Sequence, residues 1–314
     1  VALVWLLVAA GCAGGGDGGG RDAGGAGVAD RAPGTQTRPE PTRSEPVACP
    51  ARPGRDVPYV RDGHALQRLD VYPPARGCPA PVVVWVHGGG WMVGDKRNLG
   101  RKATWFPARG YVLVSVNYRL TDLRAAEPLR WPAHNEDVAA AIAWVRREIH
   151  RFGGDAGRIA LLGHSAGAGI AAAVATDPRL LGAHGLDLDT LDCVAPLDTE
   201  GFDVAAAARR PGRLGQIYRA AFGTDPDTWR EASPITHVRA GVGIPPTFLV
   251  RRGGQPRQRM VDRYAEALRE AEVEVTVLEL THFSHADVNR RIGEPGEAEL
   301  TPALERFLAG CLGR

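Results

Sequence analysis

Ser165 stands at the centre of Gly163-His164-Ser165-Ala166-Gly167, after the apolar run Arg158-Ile159-Ala160-Leu161-Leu162 and before a small-residue stretch from Ala168 to Thr176. An apolar run, a glycine-flanked serine and a helix-forming stretch together predict a sharp strand-to-helix turn that exposes a hydroxyl for nucleophilic attack. Glycines are expected on both sides because such a turn brings backbone and helix so close that a Cβ would collide. A second motif, His87-Gly88-Gly89-Gly90-Trp91, ends the β-branched run Pro81-Val82-Val83-Val84-Trp85-Val86. Consecutive glycines leave backbone N–H groups unobstructed, and acyl transfer needs such donors because its tetrahedral intermediate carries an oxyanion. Either motif alone reads equally as a plain glycine-rich turn. In this order they point to acyl transfer through a serine.

The elements that must position these residues alternate between strand and helix patterns. Strands are expected at Leu69–Tyr72, Val82–Val86, Tyr111–Val116, Ile159–Leu162, Val194–Leu197, Thr247–Val250 and Val273–Leu280. Val138, Ala141, Ile142, Val145 and Ile149 recur at helical spacing, and that helix should end near Phe152-Gly153-Gly154. Such alternation predicts an α/β protein with a mainly parallel sheet and helices on both faces. Between Arg179 and Ala240 the pattern weakens; Tyr218, Phe222 and Trp229 there are expected as pocket walls, or as simple core. A serine turn of this kind needs a base, which in chain order follows the serine and the acid. Two histidines, His282 and His285, lie in the loop past the last expected strand.

With these motifs the chain resembles the α/β-hydrolase fold carboxylesterases of the hormone-sensitive-lipase and polysaccharide-esterase type. The resemblance runs from Leu69-Asp70-Val71-Tyr72-Pro73 to the C-terminus and includes Gly94-Asp95-Lys96, Val116-Asn117-Tyr118-Arg119, Phe152-Gly153-Gly154-Asp155 and Ala232-Ser233-Pro234. It implies that the N–H groups of Gly89, Gly90 and Ala166 form the oxyanion hole and that His87 braces the glycine loop. It also favours His285 as the base, because Ala286-Asp287-Val288-Asn289-Arg290 resembles the segment after the catalytic histidine, leaving His282 in a supporting place.

The acid departs from the family pattern. A histidine-glycine-x-x-aspartate-proline stretch is expected after Pro246-Thr247-Phe248-Leu249-Val250, but the chain reads Arg251-Arg252-Gly253-Gly254-Gln255-Pro256. Glutamine can accept a hydrogen bond from histidine but brings no charge to stabilise imidazolium. Either the acid has moved or activity has faded. The first candidate for a moved acid is Asp198, just past the expected strand Val194–Leu197, a strand from which some lipases of this fold take theirs. Asp203 is second; Asp262 reads as a solvated helix residue.

Composition sets the remaining bounds. Of the seventeen residues from Gly11 to Gly27 ten are glycine, and Pro33, Pro39, Pro41 and Pro46 follow. A segment so poor in large apolar side chains cannot offset its ordering entropy. Residues 13–54 are therefore expected to be a tether and residues 55–314 the catalytic domain. Residues 1–12 resemble the end of a bacterial lipoprotein signal, an apolar stretch closing on Ala9-Ala10-Gly11-Cys12. Lipidation at Cys12 would attach the protein to the outer side of a bacterial membrane; a plain secretory signal is the alternative. Four other cysteines suit an oxidising compartment, with Cys49–Cys78 and Cys193–Cys311 the expected pairs; Cys311 reads alternatively as a small buried hydrophobe.

A net charge of +2 does not suggest a nucleic-acid partner. The arginines at 251, 252, 257 and 259 read as a local solvated cluster, or as a site in which Arg251 or Arg252 meets an acidic substrate group. No metal-binding motif occurs, and the chemistry expected needs no cofactor. Three functions fit: a serine esterase acting on small-molecule esters, an arylformamidase or peptidase on the same machinery, or a surface-anchored binding protein on a hydrolase scaffold.

Overall fold

The computed structural model describes residues 52–313. Cys12, Cys49, the signal-like stretch and nearly all of the expected tether lie outside the described residues. Eight strands form one sheet: β1 (Gly54–Pro58), β2 (Arg68–Tyr72), β3 (Ala80–Val86), β4 (Val112–Val116), β5 (Gly154–His164), β6 (Cys193–Leu197), β7 (Thr247–Arg251) and β8 (Val275–Glu279). Their order across the sheet is β1-β2-β4-β3-β5-β6-β7-β8. The first two pairings, β1 with β2 and β2 with β4, are antiparallel and all others are parallel.

The central strands read as unbroken apolar runs because both faces of the sheet are covered. Every residue of β3 and β4 is buried. Alternate side chains go to opposite sides: Val82, Val84 and Val86 join the core under the helices Ala133–Glu148 and Ala166–Thr176, while Val83 and Trp85 pack with Leu300, Leu304 and Leu308 of the C-terminal helix Leu300–Cys311. Each such valine contributes about 1.5–3 kcal/mol relative to an exposed one. A disulfide joins Cys193, at the start of β6, to Cys311, at the end of that helix, across 118 residues. A loop this long stabilises by about 2–5 kcal/mol, so Cys311 is a cross-link and not a free hydrophobe. Cys78 is disulfide-bonded as well.

All seven expected strands are present, with β5 longer and the last one shorter than the sequence pattern suggests. Around β6, the weakly patterned stretch from 179 to 240 is built of short helices, among them Val204–Ala208, Gly212–Phe222 and Pro226–Glu231. Strand order puts the carboxyl ends of β3, β5, β6, β7 and β8 side by side, the end of a parallel sheet at which α/β proteins assemble their sites.

Candidate active site

Ser165 follows the last residue of β5 and precedes the helix Ala166–Thr176, with φ 58° and ψ −120°. A left-handed φ at a non-glycine residue is strained and persists only where its surroundings enforce it. Here the enforcement is steric: a Cβ on Gly163 would lie 2.2 Å from the Gly167 carbonyl oxygen, and one on Gly167 2.2 Å from that of Val86. The helix start is thereby pressed onto the ends of β5 and β3. The Ala166 N–H, in the first helical turn, has no intrahelical acceptor.

The glycine loop leaves the carboxyl end of β3. Gly89 has φ +128°, and a Cβ there would sit 1.8 Å from the Val93 carbonyl oxygen, so only glycine fits. His87 does brace this loop. Its Nδ1 donates to the Gly88 carbonyl at 2.8 Å, its ring stacks on Tyr118 at 4.5 Å, and Tyr118 Oη donates to the His87 carbonyl at 3.0 Å. Downstream, the Lys96 N–H donates to Asn117 Oδ1 at 2.6 Å, and the buried Lys96 ammonium pairs with Asp70 at 2.7 Å. Lys96 and Asn117 thus tie down the chain that follows the loop. Gly88, Gly89 and Gly90 form one wall of a cavity of about 510 Å³ over Ser165, faced by His285, Asn289 and Arg290. A smaller cavity of about 260 Å³, walled by Trp91, Leu214, Ile217 and Tyr218, also reaches Ser165, Ala166 and His285.

His285 begins the short helix His285–Arg290, whose start is fixed by a capping box between Ser284 and Asp287. Its Nε2 accepts from Ser165 Oγ at 3.0 Å, and its Nδ1 donates to Asp198 Oδ2 at 2.6 Å. Asp198 follows β6, is 2% exposed and has φ +64°. Burial by itself would raise its carboxyl. The bond from His285 and the charges of Arg257 and Arg252 outweigh this and hold it below the usual carboxylate range.

The other candidates are engaged elsewhere. His282 is exposed and pairs with Glu299 at 3.0 Å. Asp203 caps the helix Val204–Ala208, accepting from the Ala206 N–H at 2.8 Å, and Asp262 pairs with Arg251 at 2.8 Å. Gln255 is exposed at the start of the helix Gln255–Glu270. Of the aromatic residues expected as pocket walls, Tyr218 lines the smaller cavity. Phe222 backs Trp91 edge-on at 4.9 Å, and the buried Trp229 donates from its indole to the Gly223 carbonyl.

The matching model is that of the BD-FAE family, and it covers residues 69–257, more than half of the chain. The chain belongs to the BD-FAE family. Curated relatives of this family member include Esterase LipC of Mycobacterium tuberculosis, 33% identical over 69% of the chain and 56% of LipC. Carboxylesterase NlhH of the same organism is 31% identical over 76% of the chain and 77% of NlhH. The chain thus spans little more than half the length of LipC and about three quarters of NlhH. Among solved structures, Esterase B from Lactobacillus rhamnosis superposes with a TM-score of 0.68 at 20% identity, covering 86% of the chain and 89% of that protein. The fold is the α/β-hydrolase fold.

Three residues near the site were not legible as such. His164 packs against His285 with ring centroids 4.5 Å apart and planes tilted by 37°, and its Nε2 donates to the His285 carbonyl at 2.8 Å. Burial, with the neighbouring His285, pushes its imidazole down to about 3. Arg252 and Arg257, expected as solvated, both pair with Asp198. An arginine directly after a strand end that faces the site was the available signal. His164, Asp198 and His285 bring donor atoms within 4.8 Å of one another, a closeness that the hydrogen bonds just described account for.

Proposed function

We propose that this chain hydrolyses small carboxylic esters through an acyl-enzyme on Ser165. The observation that carries the reading is the unbroken relay from Ser165 Oγ to His285 Nε2 at 3.0 Å and from His285 Nδ1 to Asp198 at 2.6 Å, beside a glycine loop in the same cavity wall. In this reading His285 takes the Ser165 proton as the oxygen attacks the ester carbonyl, and Asp198 stabilises the imidazolium that forms. The N–H groups of Gly89, Gly90 and Ala166 receive the oxyanion. His285 then returns its proton to the leaving alcohol, and water, activated by the same histidine, releases the acid. The esterase and carboxylesterase names of the relatives support the reaction class. The binding-scaffold alternative rested on Gln255, and a carboxylate stands beside His285 instead.

Purified protein is expected to turn over short-chain nitrophenyl esters and to be labelled once by a fluorophosphonate, with the mass added to the peptide carrying Ser165. No turnover above buffer, or a label elsewhere, overturns the proposal.

Location belongs to the same proposal. The apolar stretch ending at Cys12 and the disulfide-bonded cysteines support export with Cys12 as lipid attachment point. Expressed with its leader in a bacterial host, the protein should partition with membranes, and Cys12→Ala should release it; an unchanged partition refutes lipidation at that residue.

A further inference from the structure

A triad carboxylate needs one histidine, yet Asp198 serves three partners. Its Oδ2 accepts from His285 Nδ1 and from Arg252 Nε. Its Oδ1 accepts from Arg257 Nε at 2.8 Å and lies 2.7 Å from Arg257 Nη2 as an ion pair. The far side of Arg257 pairs with Glu200. These guanidiniums are largely enclosed, with side-chain exposures of 10% and 15%. Both come from the segment after β7 that departs from the family pattern, where Gln255 stands in place of an acid. Charges close locally: Asp198 and Glu200 balance Arg252 and Arg257, so a protonated His285 leaves the cluster with one positive charge in excess. A lone aspartate–histidine pair would instead become neutral on protonation.

We infer that Arg252 and Arg257 are positioning residues for the hydrolytic site, fixing the displaced acid Asp198 against His285 and reducing the negative field it exerts on that imidazole. Both effects follow from the geometry. Bonds to both carboxylate oxygens prevent rotation about the Asp198 side chain, and a cation beside an anion weakens the anion's attraction for a third charge. The other groups facing His285 do not supply this field. Ser165 and Thr199 are uncharged, the buried His164 ring packs tilted against it and is bonded to its carbonyl, and Asp287 is taken up by the Ser284 N–H and hydroxyl. Arg290, on the same helix, lines the open cavity, and Lys102 lies behind the site with its ammonium on the Asn289 carbonyl. Glu200 reaches the cluster only through Arg257.

The sign is testable. Removing one guanidinium makes imidazolium easier to form, so the acid limb of kcat/KM moves to higher pH. The inference rests on the esterase reading, and a measurement that needs no turnover separates the two. Full-length Arg252→Met and Arg257→Met are compared with wild type and Arg252→Lys, by pH profiles with nitrophenyl acetate and by NMR titration of the His285 ring. Both methionine variants are expected to move the limb and the NMR midpoint upward by about one pH unit, a tenfold change in proton affinity. Arg252→Lys, which keeps the charge, should stay near wild type. Midpoints that are unmoved or move downward in folded Met variants overturn the inference, even where kcat or Tm falls. Midpoints that move upward in the Met variants while wild type hydrolyses no ester would sink the esterase reading alone. If Arg252→Met does not fold, Arg257→Met, the more exposed of the two, carries the comparison.

Discussion

Ser165→Ala should lower kcat for ester hydrolysis by about 10⁴-fold or more, with little change in stability. The substitution removes the attacking oxygen and nothing that holds the turn: Gly163 and Gly167 still fit against the Gly167 and Val86 carbonyls, and the Ser165 N–H still donates to the Leu197 carbonyl at 3.2 Å. Alanine meets the same left-handed φ as serine, so the backbone strain is nearly unchanged. What survives is the glycine loop and the cavity, which can still bind a substrate and polarise its carbonyl. Residual activity over uncatalysed hydrolysis should therefore persist while labelling by a fluorophosphonate disappears. The check is kcat for a short-chain nitrophenyl ester together with the melting temperature. A variant as fast as wild type would remove Ser165 from the reaction; a melting temperature that collapses would mean that the hydroxyl, and not the glycines, secures the turn.

How much of this site could be read from the chain depended on how local each signal was. The serine turn and the glycine loop are legible because their steric demands fall within five residues. The parallel strands are legible because burial on both faces forces continuous apolar runs such as Val82 to Val86. β1 was missed: Gly54–Pro58 has only Val57 as a strand former, and it is a strand because β2 offers it an edge. The short helices after residue 177 carried readable caps, Asp177, Asp203 and Asp225, each accepting from N–H groups in the following turn, yet their apolar periods are too short to stand out. The contact of Asp198 with His285 spans 87 residues, so only the argument that a strand end faces the site could suggest it. The arginines were harder still. A charge run looks solvated until the fold reveals a buried carboxylate beside it.

Asp198→Asn carries the second large effect and separates a moved acid from an idle one. Asparagine keeps the size of the side chain but offers His285 Nδ1 no charge and tends to hold the wrong tautomer, so kcat should fall by about 10³–10⁴-fold. It also removes the carboxylate that Arg252 and Arg257 share, leaving Arg257 with Glu200 alone. Breaking a largely buried ion cluster from one side costs about 3 kcal/mol, so this variant, unlike Ser165→Ala, should melt at a clearly lower temperature. Kinetics must be taken well below that melting point, with the folded fraction counted by circular dichroism, so that lost catalysis is not confused with lost protein. Gln255→Ala is the matched control. The side chain is exposed at the start of its helix, and surface changes of this kind shift stability by no more than about 0.5 kcal/mol, so rate and melting temperature should stay at wild-type values. Equal activity in Asp198→Asn and wild type would show that the 2.6 Å contact is structural. A loss confined to Gln255→Ala would return the acid's role to the position that the family pattern names.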